Sequence, residues 1–216
     1  MRLVTLPGVF TPPSDSWLLV EEVRRAELAQ DATVLDVFTG SGVLAIAAAL
    51  AGARQATAVD ISRRAVATVR INARLNGVRV RALRGDVFAP VAGRRFDLIL
   101  ANPPYVPSAS DAVPARGAQR AWEAGRDGRA LLDRFCPHVG KHLNPGGRVL
   151  IVQSALSGEE ATLAALAGAG LEPEVVARHR GALGPIVSAR APLLEERGLL
   201  APGEREEDLL VIEGRA

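Results

Sequence analysis

The residues with the clearest chemical potential are Asn-Pro-Pro-Tyr at positions 102–105, directly after the apolar run Phe96–Ala101. Prolines donate no backbone N–H and hold φ at roughly −65°, so a strand cannot continue through this corner. Asn102 precedes a proline and is therefore expected to be extended. The Asn102 side-chain oxygen and the Pro103 carbonyl would then accept both hydrogens of a planar –NH2 group, while Tyr105 stacks on its plane. The alternative is an ordinary strand-ending turn with a packing tyrosine.

Polar residues that would complete such a site lie at or just beyond the ends of four predicted strands. They are Asp36, Gly40, Gly42, Asp60, Asp86 and Asn102. In a doubly wound sheet the carboxyl ends of parallel strands share one edge, and ligands bind there at the topological switch point. We therefore expect these residues to converge on a single site.

The glycine loop within this set has two interpretations. Gly40 and Gly42, with the acid Asp60 about 20 residues further on, also satisfy the fingerprint of a dinucleotide-binding loop. Asp36, however, would repel a pyrophosphate and attract an ammonium group, and Asp86 offers a polar strand end where an adenine edge is read. S-adenosylmethionine has an ammonium, a ribose and an adenine but no phosphate, so the pattern favours it over NAD.

Alternating strand and helix patterns predict the sheet that would position these residues. Strands are predicted at residues 33–38, 56–60, 78–82, 96–101, 149–152, 174–178 and 208–212. Helices are predicted at residues 14–30, at 62–75 with Ser62 as N-cap, at 43–50, at 131–139 ending near 144–147, and after the capping-box spacing of 157–160. This order is typical of βαβ units and predicts one α/β domain over residues 1–216, with a doubly wound, mostly parallel seven-stranded sheet and a short amino-terminal helix.

The amino-acid composition limits the classes of protein to which this chain can belong. The chain has 216 residues, of which 48% are apolar, enough for one domain with a sizeable core. A single cysteine, Cys136, excludes a disulfide framework and fits a reducing compartment. The longest apolar stretch, residues 43–51, is too short to span a membrane, and no apolar region typical of a secretory signal follows the amino terminus. We therefore expect a cytoplasmic protein without a membrane anchor.

The charge distribution does not favour a nucleic-acid partner. The net charge is only +2, and the 26 basic residues are interspersed with 24 acidic ones. Lys141 is the sole lysine, so nearly all positive charge is arginine, which together with abundant Ala, Gly and Pro is typical of a high-GC coding sequence. A nucleic-acid-binding protein more often concentrates its cations on one face.

The motifs at residues 36–42, 60, 85–87 and 102–105 resemble, in order and type, those of class I methyltransferases that modify amino groups. The tetrapeptide at 102–105 is shared by DNA adenine-N6 and cytosine-N4, some RNA, and release-factor glutamine-N5 methyltransferases. Residues 9–19 and 121–129 are similar to the short eukaryotic and archaeal branch of HemK-like glutamine methyltransferases. The resemblance implies a Rossmann-like fold, S-adenosylmethionine as cofactor, a protein substrate such as a translation release factor, and a small activator subunit as a further partner.

The resemblance also implies roles for individual residues. It implies cofactor binding by Ser16, Asp36, Gly40, Gly42, Asp60, Asp86, Val87 and Asn102. It implies catalytic roles for Asn102, Pro103 and Tyr105, and a substrate side formed by Asn102, Pro103, Pro104, Tyr105 and Trp122. Asp36 would hold the methionine ammonium directly or through water, Asp60 the ribose hydroxyls, and Asp86 with the Val87 backbone the adenine. It implies no metal, and His138 and His142 have no evident third ligand.

The departures from the family pattern lie mainly on the substrate side. Phe38 stands where the family usually has its first glycine, and Glu-Ala at 123–124 replaces Ala-Gly. No counterpart of the helical amino-terminal domain of bacterial release-factor methyltransferases is expected. Residues 1–31 are expected to form a cofactor- and substrate-side segment, and residues 184–203 an insertion before the last strand. A nucleic-acid amino-methyltransferase (adenine-N6 or guanine-N2 type) and a small-molecule or peptide-tailoring methyltransferase stay open as alternatives.

Overall fold

Seven strands form one sheet in the computed structural model, which describes residues 1–10, 14–115 and 117–216. The strands are β1 (Thr33–Val37), β2 (Gln55–Asp60), β3 (Val80–Arg84), β4 (Phe96–Ala101), β5 (Leu143–Ser154), β6 (Glu172–Ala182) and β7 (Glu206–Arg215). Their spatial order is β3-β2-β1-β4-β5-β7-β6. The first five are mutually parallel, and β7 runs antiparallel to β5 and β6. The mostly parallel, seven-stranded α/β sheet expected from the sequence is thus confirmed.

Helices cover both faces of this sheet. The α-helices are α1 (Ser14–Arg25), α2 (Val43–Leu50), α3 (Arg63–Leu75), α4 (Leu132–Val139), α5 (Glu159–Gly168), α6 (Pro185–Ser188) and α7 (Ala191–Glu196). Ile99 of β4 packs in the cluster that contains Phe135 of α4, whereas its neighbour Leu100 packs in the cluster that contains Leu19 of α1. Successive side chains of the strand therefore enter opposite layers, which explains why the sequence of β4 is continuously apolar.

Two element boundaries, the end of the first helix and the start of β3, differ from the predicted ones because of helix caps. The first helix ends at Arg25 rather than at residue 30, because Glu27 takes φ 50° and the Leu28 N–H donates to the Val23 carbonyl at 3.1 Å. This is a Schellman cap, and its left-handed residue is not the glycine that would have marked it in the sequence. Val78 likewise donates to Ala73 at 3.0 Å as part of a helix cap, so β3 begins two residues later than predicted.

The capping-box prediction at residues 157–160 is wrong. Gly158 is the N-cap of α5 and supplies no side-chain bond, whereas the Ser157 hydroxyl donates to the Tyr105 carbonyl at 2.7 Å. Ser62, in contrast, caps α3 as expected, accepting from the Ala65 N–H at 3.3 Å. Residues 144–147, predicted to end the fourth helix, lie inside β5 at a register shift against β4.

The last two strands are longer than their apolar cores indicated. β6 spans 11 residues and β7 spans 10, where five residues each were predicted. Their outer parts carry paired charges, such as Arg180 with Glu206 at 2.8 Å, which interrupt the apolar pattern without ending the ladder. Because β6 is an edge strand, these charges also protect it from pairing with another chain.

Candidate active site

A cavity of about 780 Å³ opens beyond the carboxyl ends of β1, β2 and β4, within the size range of roughly 300–1,000 Å³ that is typical of small-molecule sites. Ten of the residues singled out in the sequence line it: Ser16, Gly40, Asp60, Asp86, Val87, Asn102, Pro103, Pro104, Tyr105 and Trp122. Asp36 and Gly42 do not line it. The fold therefore brings the predicted residues together at one sheet edge, except for Asp36 and Gly42.

Gly42 is required by packing rather than by a ligand. It has φ 85° as the N-cap of α2, and a Cβ placed on it would lie 3.0 Å from a methyl of Val69 on α3. Gly40 differs, because a Cβ there would meet nothing within 4 Å, and the residue borders the cavity. Of the two glycines, only Gly40 leaves open space beside its backbone for a bound molecule.

Asp36 lies behind the loop and not in the cavity. Its Oδ2 accepts from the Thr39 hydroxyl at 2.5 Å and from the Ala45 N–H, in the first turn of α2, at 3.0 Å. Its Oδ1 has no hydrogen-bond partner among the described residues. Complete burial raises the pKa of Asp36 to about 7, and the charge of Asp60 adds to the rise. Direct contact with a ligand's ammonium group is therefore not the arrangement of this structure, and Asp36 instead fixes the loop to α2.

Asp60 does face the cavity, at the end of β2. Its Oδ1 accepts from the Ser62 N–H at 2.8 Å and its Oδ2 from the Gly40 N–H at 3.0 Å. Burial raises the pKa of Asp60, and these hydrogen bonds together with the nearby Arg120 partly oppose that rise. Arg120, from the 3₁₀ turn at Ala118–Ala121, also lines the cavity, although no sequence motif indicated it. A carboxylate held by two backbone amides is well oriented to accept from a pair of hydroxyls.

Strained backbone marks two further positions at the cavity. Phe38 has φ 61° at the position where the resembling family has glycine, and Val87 has φ 45°. Non-glycine residues in this region are uncommon, and for a β-branched residue such as Val87 the conformation is an outlier. Strain of this kind, about 1–3 kcal/mol per residue, concentrates at functional sites. The Phe38 side chain reaches the core, where its ring packs against that of Phe135 with centroids 5.9 Å apart.

Asp86 lies at the rim of the cavity and is already paired. Its carboxylate bonds the Arg134 guanidinium at 2.5 Å, and the two side chains are 46% and 55% exposed. An exposed pair of this kind is held weakly, so a ligand at the rim competes with Arg134 for the carboxylate at small free-energy cost. The adjacent Val87 backbone lines the same part of the cavity.

The Asn-Pro-Pro-Tyr corner is held by α1. The Asn102 Nδ2 donates to the Ser16 hydroxyl at 2.9 Å, which directs the amide oxygen away from that contact. The Tyr105 hydroxyl donates to Asp15 Oδ2 at 2.5 Å, and the Ser16 N–H donates to Asp15 Oδ1 at 2.6 Å. Ser16 and Asp15 together therefore fix the side chains at both ends of the corner.

Asp15 is the most important site residue that the sequence reasoning missed. It is only 5% exposed, and burial raises its pKa while the bonds from Tyr105 and Ser16 lower it. Burial and the charge of Asp15 raise the pKa of Tyr105 well above its usual range, so the phenol stays protonated. The only available signal was its position beside Ser16 in the resembling stretch 9–19. Residues 11–13 of that stretch lie outside the described residues.

Glu207, at the start of β7, is a second buried acid that the sequence did not indicate. It lines the cavity and accepts from the Ser154 hydroxyl at 2.5 Å. Burial raises its pKa, and hydrogen bonds from Ser154 and the Gly184 backbone partly oppose the rise. Cys136, by contrast, lies in the core, and burial raises the pKa of its thiol to about 12, which excludes it as a thiolate nucleophile.

Trp122, from the second resembling stretch, forms a further part of the cavity wall. The Val106 N–H donates to the Trp122 carbonyl at 2.8 Å, and the Ala124 N–H donates back to Val106 at 3.1 Å. The indole packs against Phe10 with ring centroids 5.7 Å apart, and its Nε1 has no partner among the described residues. Gly128 supports the wall, because a Cβ on it would lie 2.2 Å from the Tyr105 carbonyl oxygen.

The family model of the methyltransferase small domain matches residues 1–118, more than half of the chain. The chain belongs to this family. The fold and the cavity of this methyltransferase agree with that match, since the matched residues supply β1 to β4 and the corner that follows β4.

Individual relatives indicate which branch of the family this chain resembles. A Methanocaldococcus jannaschii protein provisionally named protein N5-glutamine methyltransferase is 37% identical over 178 residues, covering 82% of this chain and 88% of that protein. The release factor glutamine methyltransferase of Geobacter sulfurreducens is 37% identical over 159 residues, 70% of this chain, and the chain spans only 55% of its length. These matches confirm that the methyltransferase is HemK-like.

Among solved structures, the E. cuniculi Mtq2–Trm112 complex, responsible for methylation of the eRF1 translation termination factor, is similar with a TM-score of 0.63. It is 20% identical, and the match covers 96% of this chain and 98% of that chain. At this identity the likeness concerns the fold, and it confirms the class I, Rossmann-like architecture. Within the described residues, no helix of the methyltransferase has the length and apolar character needed to cross a bilayer.

Proposed function

We propose that this methyltransferase uses S-adenosylmethionine to methylate the side-chain amide nitrogen of a glutamine in a protein, and that a translation release factor is that protein. The observation that carries the proposal is the Asn102 corner, where the amide nitrogen donates to Ser16 and the amide oxygen would accept from a planar –NH2 group. The named activities of the relatives point to the same chemistry. A cytoplasmic location, where release factors act, goes with this proposal.

The half of the cavity at the ends of β1 and β2 fits the cofactor. Asp60 would accept from the two ribose hydroxyls, Gly40 would let the cofactor approach the backbone, and the Asp86–Val87 rim would read the adenine edge. Ser16 lies where the methionine end would reach the corner. When bound, S-adenosylmethionine supplies a methyl group on a sulfonium, which is an intrinsically strong methyl donor.

The corner would act by orienting a poor nucleophile, because the lone pair of an amide nitrogen is delocalised. The Asn102 side-chain oxygen and the Pro103 carbonyl would accept both N–H hydrogens, so that the nitrogen points at the methyl carbon for in-line transfer. Transfer would form the N–C bond as the C–S bond of the sulfonium breaks, and the nitrogen would then lose one proton to water. These hydrogen bonds strengthen as the nitrogen becomes positive, so they favour the transition state over the bound substrate.

Tyr105 would provide the flat surface against which the amide stacks. Because its hydroxyl is engaged with Asp15, the ring cannot rotate away without breaking that bond. Trp122 also lines the cavity and would contact the acceptor on the substrate side.

A small activator subunit is also part of the proposal. The fold neighbour is a complex of two proteins, and β3 forms one edge of the sheet here. Arg79 and Arg81 of this edge are exposed, so a partner that adds a strand to it would carry acidic side chains. Co-purification of the tagged methyltransferase from its own host checks this: a small acidic protein recovered in equal amount supports it, and recovery of the methyltransferase alone contradicts it.

Incubation with labelled S-adenosylmethionine and three acceptors tests the function. The acceptors are the release factor from the same genome, a DNA oligomer and total RNA, each with the wild-type enzyme and with Asn102→Ala as the background control. We expect label on the release factor only, and none above background with the variant. Label found on nucleic acid alone would overturn the glutamine proposal in favour of a nucleic-acid amino-methyltransferase.

A further inference from the structure

The insertion between β6 and β7 packs directly on the loop that follows the Asn-Pro-Pro-Tyr corner. It carries α6 and α7, and its apolar side chains form a separate cluster with one residue of that loop: Val106, Leu183, Val187, Ala191, Leu194 and Leu200. Tyr105 and Trp122 pack against the outside of this cluster. The insertion is therefore joined to the substrate side of the cavity and not to the cofactor side.

Two arginines of the insertion hold the backbone of that loop. Arg190 donates to the Pro107 carbonyl at 2.7 Å and forms an ion pair with Glu123. Arg197 donates to the Ser108 carbonyl at 2.7 Å and to the Arg126 carbonyl at 3.3 Å. Four backbone carbonyls along the loop, those of Pro107, Ser108, Ala109 and Arg126, are thus held by side chains from more than 70 residues away.

The Arg190–Glu123 pair differs from the other ion pairs of the insertion by its burial. Its side chains are 21% and 12% exposed, whereas Arg205 and Glu195, which also pair, are 57% and 24% exposed. A pair with little access to water is weakly screened, and removing one partner leaves the other charge buried without compensation. The Arg190–Glu123 pair is therefore the stronger constraint on the loop.

Both partners of this pair stand where the sequence departs from the family pattern. Glu123 occupies a position where the resembling segment has a small residue, and Arg190 belongs to the insertion over which the resemblance fades. Two independent departures that meet in one ion pair indicate that the insertion and the loop work as one unit. The unit also borders the cavity, because Pro185, Ile186 and Val187 line it.

We propose that the insertion is the wall that selects the protein segment around the target amide, and that Arg190 and Glu123 are positioning residues that hold this wall. The inference rests on the proposed function and names the acceptor more closely. The part of the wall contributed by residues 184–187 is Gly-Pro-Ile-Val, which is uncharged. Acidic residues next to the glutamine would lose their hydration against this wall, so the wall disfavours them.

Glu123→Gln tests the wall, with Glu195→Gln as a matched control that breaks an ion pair of the same insertion away from the loop. We expect Glu123→Gln to raise the KM for the release factor about tenfold, in line with the loss of a poorly hydrated charge pair, with kcat and the Kd for S-adenosylmethionine within about twofold. Glu195→Gln is expected to change none of them. The reversed pair, Glu123→Arg with Arg190→Glu, should recover part of the KM.

A parallel loss of cofactor affinity in Glu123→Gln, or an unchanged KM, would overturn the inference. Hydrogen exchange of residues 106–125 provides a measurement that needs no substrate: Glu123→Gln should speed exchange there about tenfold, and Glu195→Gln should not. If the wild-type enzyme transfers no methyl group to the release factor, the proposed function fails, and the hydrogen-exchange result alone then decides whether the wall is held by this pair.

Discussion

The two halves of the cavity are built in different ways. On the proposed cofactor side, carboxylates of Asp36 and Asp60 bind backbone amides that lie within 20 residues in the sequence. On the proposed substrate side, the fixing contacts are between side chains and segments far apart: Asp15 with Tyr105 across 90 residues, and Arg190 with Pro107 across 83. Local contacts thus build the half proposed for the cofactor, whereas long-range contacts build the half proposed for the substrate.

Asn102→Ala is expected to have the largest effect, and that effect is on turnover. The variant removes the acceptor for the reacting amide, so kcat should fall about 10²–10³-fold, as for the loss of one transition-state hydrogen bond. The Kd for S-adenosylmethionine, measured by calorimetry, should stay within about threefold of the wild-type value. A loss of cofactor affinity as large as the loss of turnover would show that the two halves are not separable.

Asp60→Ala is expected to have the opposite pattern: cofactor binding weakens, while turnover at saturating cofactor is largely kept. Without the carboxylate, the cofactor loses acceptors that form charge-assisted hydrogen bonds, each contributing about 1.5–3 kcal/mol, so its Kd should rise roughly 10- to 100-fold. At saturating cofactor, kcat should recover to within about fivefold of the wild type. Calorimetry and steady-state rates measure both quantities. A low kcat that saturating cofactor does not restore would contradict the assignment of Asp60 to the cofactor side.

Tyr105→Phe tests the long-range contact that holds the corner. The change leaves Asp15 Oδ2 without the phenol, which should lower the free energy of unfolding by about 1–3 kcal/mol. Burial already raises the pKa of Asp15, so the folded state favours its protonated form and stability falls as pH rises through that pKa. The destabilisation should therefore be greater at pH 8 than at pH 4 in urea titrations. A pH-independent loss would point to packing alone.

The effect expected for Asp36 is a change in the pH profile of stability. The folded-state pKa of Asp36 is about 7, above its ordinary value of 3.8. The stability that it contributes is therefore fully present below pH 3.8 and is lost as pH rises to about 7. Asp36→Asn cannot ionise, so its urea-unfolding free energy should fall less over this interval than that of the wild type. Superimposable profiles would contradict the raised pKa.

These contrasts also explain what the sequence could and could not predict. The order of strands and helices and ten of the cavity residues followed from periodicity, from strand ends and from the motif resemblance. Gly42 and Asp36 were expected in the cavity because a motif gives the residue type but not the direction in which it faces, and both serve the packing of α2. Arg120 and Glu207 had no local pattern, and Asp15 had only its position in the resembling stretch 9–19, since each acquires its place through contacts made in the folded chain. The early end of α1 was missed because Glu27, not glycine, takes the left-handed conformation.

Tandem mass spectrometry of the release factor after incubation with enzyme and S-adenosylmethionine tests the central claim most directly, because it locates the transferred methyl group on a particular atom. We predict a single methyl group on the side-chain nitrogen of one glutamine with the wild-type enzyme, and at least a hundredfold slower appearance with Asn102→Ala, at the lower bound expected for one transition-state hydrogen bond. A methyl group on a different type of residue, or its appearance at the wild-type rate with Asn102→Ala, would contradict the account.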